Sequence, residues 1–199
     1  MKKRALLVAT SFALLGLASL PAYGQESEEA RAAQPAQPAQ PAQPAPPAEV
    51  PVAERFNGTW RYSGTNAHGQ QLIRHAIDQT VAPMNFIVRG IAAGRLEGKN
   101  QLVRRIEIAV GSGNARIVFD GNRTYRTALG EWRSHTFSGE SINVQIRERG
   151  GSLVQLFRSD SGTRRSVYRL LPNGNMRLEV TVQSSSLPGD LSYQLVYRR

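Results

Sequence analysis

The chain has 199 residues, 40% hydrophobic and 20% charged, which suits one globular domain and is unlike a collagen-like, coiled-coil or wholly disordered chain. It has no cysteine, which excludes a disulfide framework, thiolate metal ligation, a catalytic thiol and a lipidated cysteine anchor. The formal charge is +10, from 25 basic against 15 acidic residues, and apart from Lys2, Lys3 and Lys99 every basic residue is arginine.

Residues 1–24 read as a secretory signal. Lys2, Lys3 and Arg4 precede an apolar run from Ala5 to Leu20, and Ala22 and Gly24 supply small residues for cleavage before Gln25. The run is shorter than the roughly 20 residues that cross a bilayer, so no membrane span is expected after cleavage. Residues 25–51 begin acidic and then repeat Ala-Gln-Pro from Ala33 to Pro44. Such a stretch has nothing to bury and its prolines favour an extended spacer, so a disordered linker is expected. It either gives the domain reach in the envelope or is an inert leader.

Residues 52–199 are expected to form the folded domain. From Arg55 onward there are 21 basic against 10 acidic residues, a charge of +11 that attracts anions such as nucleic acid, acidic lipid headgroups, lipopolysaccharide or a carboxylate ligand without choosing among them. The segment Phe56–Tyr62 alternates apolar with polar and reads as a first strand. Leu72, Ile73, Ala76, Ile77 and Val81, then Met84, Ile87, Val88 and Ile91, recur at three- and four-residue steps. Pro83 disfavours one continuous helix and suits a helix start, so two short helices broken near Ala82 are expected, with Arg74, Asp78, Arg89 and Arg95 in solvent.

After Gly98 the period becomes two. Turn signals follow at Gly111–Asn114, Asp120–Asn122, Gly130, Ser138–Gly139, Gly150–Gly151, Asp160–Gly162, Asn173–Gly174 and Pro188–Asp190. These eight turns separate nine strands, ten with the first. Ile142, Val144 and Ile146 share one face, as do Leu178, Val180 and Val182, while Phe119 and Phe157 have no assignable side. One buried face per strand fits a barrel or a sandwich, and short turns favour closure, which removes edge strands. The expected class is mainly β: a ten-stranded antiparallel up-and-down barrel with a helical insert after the first strand. Outward Arg147, Arg177 and Glu179 are wrong for a lipid-facing barrel surface.

These features resemble the fatty-acid-binding proteins within the lipocalin-like, or calycin, group. The likeness rests on Phe56-x-Gly58-x-Trp60, the helical insert, the strand number, Gly150–Gln155 with Gly162-Thr163, the Asn173-Gly174 turn, and Tyr197 in the last strand. It implies a lidded barrel that holds a long-chain fatty acid, with arginine and tyrosine on its carboxylate. By that resemblance the inward arginine falls on Arg169 and the terminal-strand tyrosine on Tyr197; the family's second arginine is replaced by Leu195. Gly-x-Trp places Trp60 as a plug at the barrel base. Haem-binding members use a histidine in the last strands, and none follows His135 here.

Arg169 shares parity with Val167 and Leu171, whereas Tyr168 and Leu170 make the opposite parity apolar too. An inward Arg169 would be satisfied by a ligand carboxylate or by Glu148 or Tyr197, and the alternative is that it is simply exposed. Tyr193 and Tyr197 lie on one face with Leu191 and Leu195, as pocket lining or as core. His68 and His75 have no acidic third ligand in register, so neither a metal nor another cofactor is expected. There is no nucleophile elbow, phosphate-binding glycine loop or suitably spaced carboxylate pair, and no enzyme activity is expected. Basic-aromatic runs are also missing, so nucleic acid is not an expected partner. Two functions remain: a periplasmic or secreted carrier of a small hydrophobic, fatty-acid-like ligand bound by Arg169, Tyr197 and Tyr193, or an envelope interaction module with a filled barrel and a basic outer face.

Overall fold

The computed structural model describes residues 51–137 and 140–199. The expected signal sequence, residues 25–50 of the expected linker and the Ser138–Gly139 turn lie outside the described residues. A single turn of 3-10 helix, Val52–Phe56, opens the domain. Phe56, expected in the first strand, belongs to this turn; its carbonyl accepts the indole N–H of Trp60 at 2.8 Å, and both residues are fully buried. The guanidinium of Arg199 lies 4.7 Å from the indole centroid. Glu148 Oε2 accepts the Ala53 N–H at 3.2 Å and fastens the turn to the barrel.

Strand β1 spans Gly58–Tyr62. Two helices follow, α1 over Asn66–Val81 and α2 over Phe86–Lys99, divided where the Pro83 signal placed the break. Each begins with a side-chain cap: Thr65 Oγ1 accepts the His68 N–H at 3.2 Å, and Asn85 Oδ1 accepts the Val88 N–H at 3.0 Å. The buried stripe of α1 comprises Gly69, Ile73, Ala76, Ile77 and Val81. A Cβ on Gly69 would come within 2.8 Å of the Leu102 methyls and 2.9 Å of the Tyr62 ring, so glycine lets α1 approach the barrel. By contrast, α2 buries no residue completely. Of the residues expected on an apolar face, Met84 is half-buried while Ile87, Val88 and Ile91 are exposed, and Phe86 beside them is exposed too. Arg74, Asp78, Arg89 and Arg95 are in solvent, as their pattern required.

The remaining strands are β2 (Arg105–Gly111), β3 (Asn114–Phe119), β4 (Arg123–Ala128), β5 (Trp132–Phe137), β6 (Glu140–Arg149), β7 (Ser152–Ser159), β8 (Gly162–Leu170), β9 (Met176–Gln183) and β10 (Leu191–Arg198). Their spatial order is β4-β3-β2-β1-β10-β9-β8-β7-β6-β5, antiparallel throughout, with the first strand joined to the last. The sheet therefore closes except between β4 and β5. There Leu129 bridges Ile146, Gly130 N–H donates to the Ile146 carbonyl at 2.8 Å, and Gln145 Nε2 donates to the Gly130 carbonyl at 2.6 Å. Tyr125 spans the gap, edge-on to His135 at 5.6 Å and to Phe157 at 5.1 Å. This gives the expected ten-stranded up-and-down near-barrel with helices inserted after the first strand.

Cross-strand register fixes which residues face inward. Ile146, Gln155, Ser166, Val180 and Tyr193 form one inner rung; Val144, Phe157, Arg164, Val182 and Leu191 form the next. Phe119 also joins the core. Most interior side chains are apolar and sealed from solvent, among them Trp60, Ile106, Ile117, Leu153 and Met176, each contributing about 1.5–3 kcal/mol by burial.

Candidate functional site

The inner surface is mostly apolar; Thr127 of β4 and His135 of β5 face inward beside the gap, and the densest polar group is on β7 and β8, where Gln155, Arg164 and Ser166 point inward. Gln155 and Ser166 are directly opposed, and only 0% and 1% of their surface is exposed. Tyr168, one inward step along β8 and also fully buried, donates its hydroxyl to Gln155 Oε1 at 2.8 Å. An Arg164 terminal nitrogen donates to Tyr193 Oη at 3.4 Å, and Tyr193 donates to Asn100 Oδ1 at 3.4 Å. A chain of polar contacts thus runs from inside the barrel to the residue that ends α2.

This cluster is incompletely satisfied. Gln155 Nε2, Ser166 Oγ and Arg164 Nε are sealed from solvent without hydrogen-bond partners. Among the described residues, Arg164 has no ion-pair partner, and its guanidinium lies 6.0 Å from the Phe157 ring centroid. An unmet buried donor costs about 1–3 kcal/mol, and more when charged. Proteins keep such groups chiefly where something else completes them. Here the open valences are donors or a hydroxyl, two on one rung and one on the next, which favours an acceptor-rich, negatively charged group such as a carboxylate.

The tyrosines nearby are neutral donors at physiological pH. Burial pushes Tyr168, Tyr197 and Tyr125 above the usual phenol range, and the positive charge of Arg164 opposes that rise at all three.

The residues anticipated from sequence are placed differently. Arg169 does not face inward. Tyr168 occupies the inner rung with Leu153 and Leu178, which turns Arg169 onto the outer surface opposite Arg177. There Arg169 Nε pairs with Glu179 Oε2 at 3.4 Å, with 47% of its side chain exposed. Tyr197 is inward and fully buried, but it donates to the Val103 carbonyl at 2.8 Å and packs edge-on to Tyr62. Tyr193 faces inward and reaches Arg164. Of the anticipated residues, Tyr193 alone touches the cluster. Arg164, Gln155, Ser166 and Asn100 were missed, although Gln155 is legible as the polar member of the inward set Leu153, Gln155 and Phe157.

An open cleft of about 330 Å³ lies between the helices and ends at this chain of contacts. It is lined by Gln70, Ile73 and Arg74 of α1, by Gly94, Glu97 and Gly98 of α2, and by Asn100 and Gln101. Arg74 Nε and Glu97 Oε1, 3.4 Å apart, link its two walls. The described residues contain no cluster of three or more histidines or acids that could hold a metal, and none of their helices is long and apolar enough to span a membrane.

No protein-family model matches this sequence, and no curated protein matches it. Solved structures similar to it include a secretary abundant heat soluble protein from Ramazzottius varieornatus, at 13% identity over 73% of this chain and 96% of that one, with a TM-score of 0.48. A Schistosoma mansoni fatty acid binding protein in complex with arachidonic acid shares 15% identity over 75% and 98%, with a TM-score of 0.48. Lipid binding protein 8 of Caenorhabditis elegans shares 11% over 73% and 95%, with a TM-score of 0.45. The chain's own strand order and helix placement define a ten-stranded antiparallel near-barrel with two helices after its first strand.

Proposed function

We propose that this protein is a non-enzymatic carrier that takes a small hydrophobic molecule with an acidic head, such as a long-chain fatty acid, into its barrel. The observation that carries the reading is Arg164, an arginine without an ionic partner on an inner rung, accompanied by the open valences of Gln155 and Ser166. A carboxylate would accept from Arg164 and Gln155, and the surrounding Val, Ile and Leu side chains suit an alkyl chain. Arg169 has no part in this. The interior side chains are closely packed, so a ligand must displace some of them, with access through the cleft between α1 and α2 past Asn100. The N-terminal sequence supports a periplasmic or secreted location.

The test is displacement of an environment-sensitive fluorescent fatty acid by fatty acids of graded length and by the matching primary alcohols. The carrier reading expects saturable binding, with each alcohol at least about tenfold weaker than its acid, the loss expected on removing a charge-assisted contact. Absence of binding across chain lengths would remove it. The complete burial of Trp60, Tyr168 and Tyr197 favours a second reading, an interaction module whose barrel serves as a scaffold for its surface.

A further inference from the structure

The outer face of β6–β9 carries a charge pattern that neither the core nor the interior site explains. Its outward positions hold six arginines: Arg147 and Arg149 on β6, Arg158 on β7, Arg165 and Arg169 on β8, and Arg177 on β9. Glu179 is the one carboxylate among those positions. It pairs with Arg169 at 3.4 Å and Arg177 at 3.1 Å, so six guanidinium groups against one carboxylate leave the face at +5.

The arginine stems rest on a prepared floor. Val154 and Val167 are opposed on this outer side, outside the main core, yet only 1% and 4% exposed. The surrounding long side chains shield them. Arg147 Nε is sealed here without a partner. Pinned stems lose less freedom when their heads engage a ligand. The guanidinium fork also matches phosphate oxygens bidentately in a way lysine does not.

The layout selects the kind of partner. At strand spacings of about 4.8 Å and rises of about 3.3 Å per residue, the arginines cover a patch of roughly 14 by 20 Å. Arg149, Arg169 and Arg177 share one cross-strand row, and Arg147, Arg165 and Arg158 lie on three further rows, so the set extends in two dimensions. A linear polyanion meets such a patch along one row, whereas a lipid surface offers phosphates in two dimensions. The nearest outward aromatic residue, Trp132 on β5, has Arg158 stacked 4.8 Å from its ring, and a single aromatic beside six arginines does not make a row on which successive bases stack.

We propose that the outer face of β6–β9 docks onto the phosphate-rich surface of an anionic lipid membrane. The proposal is independent of whether the barrel binds a ligand. The full chain would be co-sedimented with vesicles of phosphatidylglycerol and phosphatidylcholine, with pure phosphatidylcholine vesicles as a control for its apolar N-terminal run and single-stranded and duplex DNA in parallel. Arg147→Gln/Arg169→Gln would be compared with Arg116→Gln/Arg126→Gln, which removes equal charge from outward positions on β3 and β4.

The expected result is salt-sensitive binding to the anionic vesicles, weakened about 25-fold by the first pair, at roughly fivefold per arginine, and less than about threefold by the second. Equal losses in the two variants would reduce the effect to net charge and overturn the proposal. So would unchanged binding in the first variant, salt-resistant binding to phosphatidylcholine alone, or DNA affinity above that for the vesicles. Circular dichroism of both variants excludes misfolding, since all four positions lie on the outer surface.

Discussion

Tyr168 and Gln155 form a hydrogen-bonded pair on adjacent strands, 2.8 Å from phenolic oxygen to amide oxygen, and neither is exposed to solvent. Replacing Tyr168 with Phe removes the donor and leaves the whole Gln155 amide unpaired. Urea unfolding of Tyr168→Phe should show a loss of about 1–3 kcal/mol with an unchanged slope, and Tyr168→Phe/Gln155→Leu should recover much of it.

Gly162 starts β8 with φ +144°, and a Cβ there would collide with the Gln183 carbonyl oxygen on the neighbouring strand. The obstruction is backbone, so a side-chain rotation cannot relieve it. Gly162→Ala should therefore cost more than the about 0.5 kcal/mol of an ordinary surface change, roughly 2–4 kcal/mol, read as a fall in Tm. Gly113, also at positive φ but with no atom within 4 Å of its Cβ position, should tolerate Asn with less than about 1 kcal/mol lost.

His135 stands at the β4–β5 gap beside Tyr125, with its Nε2 sealed and unpartnered. Burial lowers its pKa below the ordinary value of 6.5; a backbone contact at Arg126 opposes this, and the positive charge of Arg133 adds to it. As pH falls through 6.5, the unfolded chain takes up a proton that the native state resists. Stability contributed by neutral His135 is thus present above 6.5 and is lost until the native group titrates at lower pH. Denaturation curves between pH 7.5 and 5 should show this decline, and His135→Gln should flatten it.

The Arg74–Glu97 pair spans the cleft between the helices and is largely exposed, so it contributes at most about 1 kcal/mol to stability. Its expected effect is kinetic. In the carrier reading, Arg74→Gln should raise both association and dissociation rates in stopped-flow ligand binding while changing Kd less than about threefold. Unchanged rates would move the route of access away from this cleft.

The sequence conveyed the architecture because its local signals agreed with one another. Pro83 divided the helices, the turn glycines spaced the strands, and Ile142, Val144 and Ile146 revealed a buried face. It failed on β8, where Val167 and Tyr168 are both buried but on opposite sides. Alternation cannot choose between two apolar parities; pairing of Tyr168 with Leu153 and Leu178 does. That one-residue choice moves the inward charge from Arg169 to Arg164. On α2 the helical period was legible, but nothing in the pattern specified whether its apolar side would be covered.

The central claim is that Arg164 serves a ligand and not the fold. The most direct measurement is the affinity of Arg164→Met for a fluorescent fatty acid together with its unfolding free energy, beside Arg169→Gln. The account predicts that Arg164→Met binds about 10- to 100-fold more weakly, through loss of one charge-assisted contact, and is no less stable than the native protein, because a half-buried guanidinium with a sealed, unpartnered Nε has been removed. Arg169→Gln should bind normally. Unchanged affinity in Arg164→Met, or a loss confined to Arg169→Gln, would contradict it.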